Sequence, residues 1–538
     1  MKKNVLIGGA WPYANYLMHI GHLAALLPGD VIARYYRANK CEVIYVSGSD
    51  CHGTPITQRA IKESKKPEEV ANYYHQEFIK TLNKMNFTYD LYTSTMDEEH
   101  KHLVQEYFKK MLDNGYIYEK EESQDYCEKC QKYLSDREIV GICPHCGKQS
   151  NAEQCDNCLT NVNASEVKDK YCVNCQTATV MKGNKHLYFK LSAFQTKLEQ
   201  YVDKSDNTWR KQAISEAKKF LKMGLIDRAA TRQLTWGIEV PVTGYEDKRI
   251  YVWIEAVLGY LTAGYRVANT KGIDFDKFMT STSLSTYYVH GKDNITFHAI
   301  IYPALILALK NNYQLPKYNI SCDYVNMDSQ KMSKSKGNLI TVNELMEKYA
   351  VDTIRYYMIA YGPEKKDVNF SYSHLIQSHN KFLVGILGNF VNRNLSFIIK
   401  KFAGTITAST VDLAIKKETK EKYQQVGSLI EKGELKNAIE SVFEYITIGN
   451  KYYDENQPWI KVKENIEEFN KITYTCIYMI ANISNLIEPF LPDTAHKLKE
   501  ILALVGESAW EEINIEGITK IDAAPLLFER IEEESLEE

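Results

Sequence analysis

The sequence predicts an α/β protein built on a parallel sheet, interrupted by a cysteine-bearing insertion and followed by an all-helical C-terminal domain. Three observations carry that prediction. The chain opens with a strand, a loop, a helix and a second strand; eight cysteines then fall as four Cys-x-x-Cys pairs between 127 and 175; and from about 372 to near 505 the pattern is helical without interruption. A βαβ opening implies parallel strands with ligands at their C-terminal ends.

Taken in order, residues 3 to 9 form a short β-run ending in Gly8-Gly9, and a polar and aromatic loop follows, Ala10-Trp11-Pro12-Tyr13-Ala14-Asn15. From about His19 the apolar spacing turns helical, through Leu23, Leu26 and Ile32 to Tyr36. Cys41 to Val46 reads as the second strand and ends in Ser47-Gly48-Ser49-Asp50. Helices run on to about Tyr116, the cysteine stretch breaks the pattern from 119 to 180, and mixed helical sequence continues to 228. The α/β pattern resumes at Ile250-Tyr251-Val252-Trp253 and at Tyr287-Tyr288-Val289-His290-Gly291. The middle is therefore an insertion within one nucleotide-binding fold. The apolar run from Ala299 to Leu309 falls short of the roughly 20 residues a bilayer demands and reads as a buried helix.

At 538 residues the chain suggests three or four folding units of about 150 residues each. Hydrophobic residues at 44% and charged residues at 25% exclude disordered and fibrous classes. The balance of 66 basic against 69 acidic residues excludes a whole-chain basic nucleic-acid binder, so any RNA surface must be local. After Met1-Lys2-Lys3 the apolar run is only Val5-Leu6-Ile7, too short for a signal peptide, and a cytoplasmic location without membrane contact is expected. The last ten residues carry six acids and one arginine, read as a solvated tail.

In a long chain without a secretion signal, repeated Cys-x-x-Cys argues for metal rather than disulfides. The pairs are Cys127/Cys130, Cys143/Cys146, Cys155/Cys158 and Cys172/Cys175, enough thiolates for two tetrahedral Zn²⁺ sites. Nested pairing joins the inner pairs and the outer pairs; tandem pairing joins first with second and third with fourth, and redox-active Cys-x-x-Cys is a further reading. A closed four-cysteine site leaves no open coordination position, so the expected role is scaffold. Cys41, Cys51, Cys322 and Cys476 are expected to be buried thiols.

Two further segments carry chemistry. His19-Ile20-Gly21-His22 sits where the first strand feeds the first helix, and a helix N-terminus attracts phosphate. Histidines three apart share a face, and both rings can donate to phosphate oxygens. Lys331-Met332-Ser333-Lys334-Ser335-Lys336-Gly337-Asn338 is a cationic loop suited to a polyphosphate. Alone, each is also what a surface helix start or a solvated loop looks like; together on a βαβ fold they are not.

With these residues in place the chain resembles the class I aminoacyl-tRNA synthetases, whose signatures HIGH and KMSKS stand here at 19–22 and 331–335. Around them it is similar to the methionine-specific family: Ala10 to Asn15, Asp50-Cys51-His52-Gly53-Thr54-Pro55, Tyr251-Val252-Trp253-Ile254-Glu255-Ala256, and Gly291-Lys292-Asp293 with Phe297-His298. The similarity runs from residue 4 to about 500. It implies a class I Rossmann-type catalytic domain with a zinc-binding connective insertion and a C-terminal α-helical anticodon-binding domain. The segments are then 1–118 and 229–325 for the catalytic halves, 119–228 for the insertion with its knuckles at 119–180, 326–372 for the KMSKS and stem-contact segment, and 373–538 for the helical domain.

The resemblance also implies roles. L-Methionine and ATP, with Mg²⁺, would give methionyl-adenylate, and the methionyl group would pass to the 3′ end of tRNA(Met). His19, His22, Lys331 and Lys334 would be catalytic. ATP would meet these four with Gly21, Gly291, Asp293 and Ser333. Ala10, Trp11, Tyr13, Asp50, Trp253, Ala256, Tyr260 and His298 would bind methionine, Asp50 holding its ammonium. Trp11 and Asn294 depart from relatives that carry leucine and isoleucine there. Asn389 and Arg393 match an Asn-x-x-x-Arg anticodon motif, with Pro458 and Trp459 beside them. Between Phe382 and Ile398, the residues Phe382, Leu383, Ile386, Leu387, Phe390 and Phe397 form an apolar helical stripe, opposite Gly385, Asn389, Asn392, Arg393 and Ser396. Relatives that dimerise carry a C-terminal appendage this sequence does not show, so a monomer is expected. The rivals are another class I synthetase, for leucine, isoleucine, valine or cysteine, and a non-catalytic zinc-containing RNA-binding protein; the intact phosphate motifs weigh against the latter.

Overall fold

A computed structural model describes residues 3–134, 138–152, 155, 158, 164, 166–327, 330–331, 339–504, 506 and 508–532. It divides into two compact units: Met1–Val104, Thr196–Gly224 and Ala256–Glu538 in the first, Gln105–Gln195 and Leu225–Glu255 in the second.

The first unit is organised by five parallel strands: β1 (Asn4–Gly9), β2 (Glu42–Ser49), β3 (Leu91–Ser94), β4 (Ser285–Gly291) and β5 (Tyr318–Cys322), ordered β5-β4-β1-β2-β3. Strands buried on both faces read as continuous apolar runs, and Val5, Leu6 and Ile7 at 0% exposure fit that rule. The strand order reverses between β1 and β4, which makes the crevice at their C-terminal ends the expected ligand site. Helix α1 (Ile20–Ala38) follows β1 and buries Leu23, Leu26, Leu27, Val31 and Ile32 against the sheet unit's core.

Four-residue β3 had no readable sequence pattern, because only Thr93 and Ser94 of it are buried. The expected strand at Ile250 to Trp253 is two residues long, Arg249–Ile250, and Val252 and Trp253 already belong to the helix Val252–Thr270. The unit boundaries also differ from the expected segments. Residues 196–224 belong with the sheet: Trp209 bridges to Asn319, and Arg210 donates to the Ser321 and Glu364 carbonyls at 2.6 Å each. Residues 225–255 belong with the insertion, where Arg228–Ala229 pairs with Val180–Phe189.

The C-terminal helices Leu413–Glu431, Leu435–Asn456, Ile466–Ile487 and Pro492–Ile501 share one apolar core with the sheet and α1. Tyr372–Phe402 is a helical run long and apolar enough to cross a membrane by composition, but Leu383, Leu387, Phe390, Val391 and Leu395 take part in that core. Within it, His379–Gly388 is a π-helix. The wider turn shifts the phase of the expected stripe, so Val391 and Leu395 are buried where Phe382, Ile386 and Phe397 are only partly so. In the second unit, Ile117–Cys127 and Val180–Phe189 form a long antiparallel pair, flanked by Lys132–Tyr133 and Arg228–Ala229. The cysteine-bearing part adds a three-stranded sheet, Gln149–Asn151, Ile139–Ile142 and Lys168–Cys172.

One ion pair ties α1 to the C-terminal helices. Arg355, on the helix Val351–Ala360, donates to Asp30 of α1 at 2.7 Å, and both side chains are 0% exposed. Its remaining donors reach the carbonyls of Phe490, Met85 and Pro489 at 2.8 to 3.1 Å. Asp30 also accepts from Arg34 and from both the N–H and hydroxyl of Thr88. Burial alone would raise the Asp30 pKa, but the Arg355 and Arg34 charges reverse this and hold it below the ordinary carboxylate value. The stabilisation is therefore present above that ordinary value and lost as acid protonates Asp30 below it. Removing one partner of such a pair leaves an uncompensated buried charge; Arg355→Met is expected to cost about 3–5 kcal/mol, read as lost hydrogen-exchange protection in α1 and in the helix Ile466–Ile487. Unchanged protection would show the pair to be dispensable.

Candidate active site and metal centres

The start of α1 is built from its own two histidines. His19 is the N-cap; its Nδ1 accepts from the Gly21 N–H at 3.1 Å, and His22 Nδ1 accepts from the His19 N–H at 3.3 Å. The rings stack with centroids 3.8 Å apart. Because each Nδ1 is an acceptor, the proton of each neutral ring is assigned to Nε2. Two imidazole donors are thus fixed at a helix N-terminus. The backbone following the lysine-rich loop clamps onto this corner: Ile20 N–H donates to Ile340 O at 3.1 Å and Val342 N–H to Met18 O at 2.9 Å. Thr341 caps its own helix, Val342–Lys348, with Glu344. Lys331 ends the strand Gln330–Lys331, but its side chain, together with Ser333 and Lys334, lies outside the described residues.

Across the crevice, β4 ends at Gly291. Lys292 pairs with Asp323 at 3.3 Å and with Asp367, while the Tyr324 hydroxyl donates to Asp293. Tyr324 was not visible as a site residue in the sequence, since a lone tyrosine between two motifs carries no spacing signal.

The apolar slot lies beside them. Ala10 N–H bonds the Val289 carbonyl at 2.9 Å, placing the loop after β1 on β4. Trp11 lies in a cradle of two glycines: a Cβ on Gly48 would stand 2.6 Å from its ring and one on Gly259 2.5 Å from it. Beneath it is His100, 5.6 Å away between centroids and brought down to about 3 by burial, so it stays neutral. Tyr13 bridges to Asp50, a residue 3% exposed whose carboxylate accepts from the His52 N–H at 3.3 Å. Ala256 and Tyr260 follow each other by one turn on the helix Val252–Thr270 and share its face. The Tyr260 hydroxyl donates to His298 Nε2 at 2.7 Å, and His298 Nδ1–H donates to the Asn294 carbonyl at 2.8 Å. Asn294 therefore contributes its backbone here. Burial, reinforced by the neighbouring His290 ring, holds His298 well below the ordinary histidine value. His290 stacks on it at 4.0 Å and escaped the sequence reading because it sits inside an apolar β-run. Trp253, at the head of the same helix, belongs to the second unit and is 40% exposed.

The cysteines form two quartets with nested pairing: Cys127, Cys130, Cys172 and Cys175 in one, Cys143, Cys146, Cys155 and Cys158 in the other, each with sulfurs within 4.8 Å. Tandem pairing is not what the chain adopts. Sulfur separations of 3.3, 3.9, 3.8 and 3.6 Å match a tetrahedron with metal–sulfur bonds near 2.3 Å, whose edges are about 3.8 Å. Hydrogen bonding with Cys175 and Cys127 lifts the Cys130 thiol to about 12, while the Thr177 hydrogen bonds bring Cys175 down to about 6. Four such thiols do not ionise together without a cation to hold them. The donor set fits zinc. The core around them is small, with Leu134, Ile139, Ala152 and Val167 its only other fully buried apolar members among the described residues. Of the remaining cysteines, Cys51, Cys322 and Cys476 are buried; Cys41, before β2, is half-buried.

On the C-terminal helices, Arg393 lies over the Tyr453 ring at 4.3 Å and bonds Asp454 at 2.7 Å and the Asn450 carbonyl at 2.6 Å. Asn389 reaches the Asn450 side chain at 3.4 Å, and Trp459, 42% exposed after buried Pro458, lies 5.7 Å from Tyr453. Asn389, Arg393 and Trp459 therefore all meet the helix Leu435–Asn456, and buried Pro458 precedes Trp459.

The family described as tRNA synthetases class I (M) matches residues 5–395, and the anticodon binding domain of methionyl tRNA ligase matches 403–538. The chain is 42% identical over 536 residues to a methionine–tRNA ligase of Bacillus cereus, covering 99% of this chain and 98% of that one. It is also 42% identical over 535 residues to methionine–tRNA ligase 1 of Alkaliphilus oremlandii, with the same coverage. In fold it is similar to Mycobacterium tuberculosis methionyl-tRNA synthetase in complex with methionyl-adenylate, with a TM-score of 0.78 at 23% identity over 94% of each chain.

The cradle around Trp11 has a direct test. Gly259→Ala places a methyl group against the indole and is expected to cost about 1–3 kcal/mol by overpacking while shifting the Trp11 indole N–H resonance. An unmoved resonance would mean that the ring does not rest on Gly259.

Proposed function

The chain belongs to the methionyl-tRNA synthetase family of class I aminoacyl-tRNA synthetases, and from that membership we propose how its residues divide the reaction. The enzyme activates L-methionine with ATP and charges tRNA(Met). A methionine carboxylate oxygen attacks the α-phosphorus, the bond to the bridging oxygen breaks, and pyrophosphate leaves. The attacking carboxylate is already ionised, so no side chain need abstract a proton; catalysis is positioning plus charge stabilisation. His19 and His22 donate through Nε2 to the phosphoryl oxygens, aided by the N-terminal end of α1 near Gly21. Lys331, Ser333 and Lys334 take the β- and γ-phosphates with Mg²⁺ as their counterion. Gly291 and Asp293 hold the nucleoside.

Asp50 binds the methionine ammonium. Ala10, Trp11, Tyr13, Ala256, Tyr260 and His298 enclose the thioether, where sulfur–ring contacts add roughly 0.3–1.5 kcal/mol each. The neutral, tautomerically fixed His298 keeps the slot uncharged. Each cysteine quartet holds one structural Zn²⁺, which supplies cross-linking to a knuckle too small to fold on apolar burial alone. Asn389, Arg393, Pro458 and Trp459 read the anticodon, whose unpaired bases are recognised by stacking and edge hydrogen bonds. Residues 1–104, 196–224 and 256–325 serve as the catalytic part, 105–195 with 225–255 as the connective insertion, 326–372 as the stem-contact segment and 373–538 as the anticodon domain. The enzyme works as a cytoplasmic monomer.

The stacked, backbone-locked pair His19–His22 at the sheet's switch point carries this assignment. It is tested by methionine-dependent ATP–pyrophosphate exchange without tRNA. His22→Ala is expected to lower exchange about a hundredfold or more, the usual loss for one preorganised donor; near-parental exchange would remove His22 from the site. Trp459→Ala should leave exchange intact and weaken aminoacylation, and equal loss in both would make Trp459 structural. Metal analysis should find two zinc ions per chain, falling to one in either Cys155→Ser or Cys172→Ser. Retention of both ions would refute the quartets.

A further inference from the structure

The assignment above leaves unused a tyrosine in the loop between β1 and α1. Tyr16 stands two residues after Ala14, whose N–H bonds the Asp50 carbonyl at 2.8 Å, and three before His19. At no more than about 3.6 Å of chain per residue, its backbone lies within roughly 11 Å of the His19 backbone. Its partly exposed ring stacks on Tyr74, with centroids 6.3 Å apart and 27° between planes. The Arg59 guanidinium lies over both rings, 5.6 Å from the Tyr16 centroid and 5.8 Å from that of Tyr74. Arg59 is itself fixed, donating to the Glu63 carboxylate and, at 3.0 Å, to the Tyr74 hydroxyl. The platform is therefore assembled before anything binds.

Exposed cations follow along the chain. From 59 to 69 it carries Arg59, Lys62, Lys65 and Lys66 against Glu63, Glu68 and Glu69; the three lysines are exposed, and Lys65 pairs with Glu63 at 3.0 Å. A rigid aromatic face backed by a guanidinium, with lysines beyond it, is what an unpaired nucleotide binds: its base on the ring and its phosphates on the cations. The charging reaction brings one such nucleotide to this place, because the tRNA's terminal adenosine must meet the adenylate between Asp50 and His19.

We propose that Tyr16, supported by Tyr74 and Arg59, stacks the 3′-terminal adenosine of the tRNA during transfer, and that Lys62, Lys65 and Lys66 contact the phosphates behind it. This rests on the reading of the chain as a methionyl-tRNA synthetase. Stacking here positions the ribose hydroxyl for attack on the methionyl carbonyl; it has no part in forming the adenylate.

The full-length chain and its Tyr16→Ala, Tyr16→Leu and Tyr16→Phe variants would be compared in two assays: methionine-dependent ATP–pyrophosphate exchange without tRNA, and single-turnover transfer from preformed methionyl-adenylate to tRNA(Met). Exchange is expected to be unchanged in all three. Transfer should fall about tenfold in Tyr16→Ala, within the range for one base–aromatic stack. Tyr16→Leu, which keeps apolar bulk without a π-face, should show the same loss, and Tyr16→Phe should recover it. Parallel loss of exchange and transfer would place Tyr16 in the activation site and overturn the proposal, as would undiminished transfer in Tyr16→Leu. If the unsubstituted chain itself gave no exchange with methionine, the family reading would fall first and this proposal with it.

Discussion

The buried contact between Asp30 and Arg355 decides where the active site stands. Asp30 lies eleven residues along α1 from the N-cap histidine, so fixing it fixes the axis on which the His19–His22 corner is mounted. Burying two charges is costly, and only full satisfaction of their hydrogen bonds makes the arrangement tolerable. Here Arg355 donates to Asp30 and to three backbone carbonyls, two of them at Pro489 and Phe490 beyond the helix Ile466–Ile487. Apolar side chains could fill the same volume, but they slide. A guanidinium that must meet four oxygens at once admits one register between α1 and the helices that follow.

The same economy of motion appears in the site. His19 and His22 use Nδ1 to complete the helix start, which assigns each ring's proton to Nε2 without any further device. His298 is locked in the opposite sense, because a carbonyl oxygen at Asn294 demands Nδ1–H and the Tyr260 hydroxyl then serves Nε2. In the proposed assignment the two histidine sets present different faces for different tasks: donors toward developing phosphoryl charge, and a neutral wall beside an apolar substrate. Preorganised dipoles need no reorientation as charge moves, which is where catalysis of this kind gains its rate.

Much of this was legible in the sequence, for identifiable reasons. The histidine pair and the glycine-ended strands show in a spacing that a helix or strand converts directly into a shared face, whereas Asn389 with Arg393 stood out only through the family resemblance. The cysteine ligands were equally plain, but their partners were not, because spacing along a chain does not say which knuckle folds over which; the register of Ile139–Ile142 with Lys168–Cys172 settles it. Other features depended on tertiary context. β3 is too short to show alternation, and the π-turn His379–Gly388 moves later residues off a regular helical stripe. His290, His100 and Tyr324 carry no motif and acquire meaning only from the rings and carboxylates packed against them.

The contrast between the cores explains how metal and RNA enter the design differently. Among the described residues, cysteines make up half of the buried core of the cysteine-bearing sheet, so a metal held by them would substitute there for hydrophobic burial. The sheet and the C-terminal helices need no such cross-link, since one continuous apolar core runs from Val5 through Leu387 and Ile446 to Leu498. Arg393 is thus mounted on a helix that packs into the same core as the strands behind Asp50 and Gly291, and Trp459 stands against Tyr453 of that core. In the proposed assignment a tRNA held at that helical face is held by a body continuous with the catalytic sheet rather than by a tethered module. Its 3′ end is then presented to a fixed target, and the accuracy of that presentation comes from packing and from the Arg355 register.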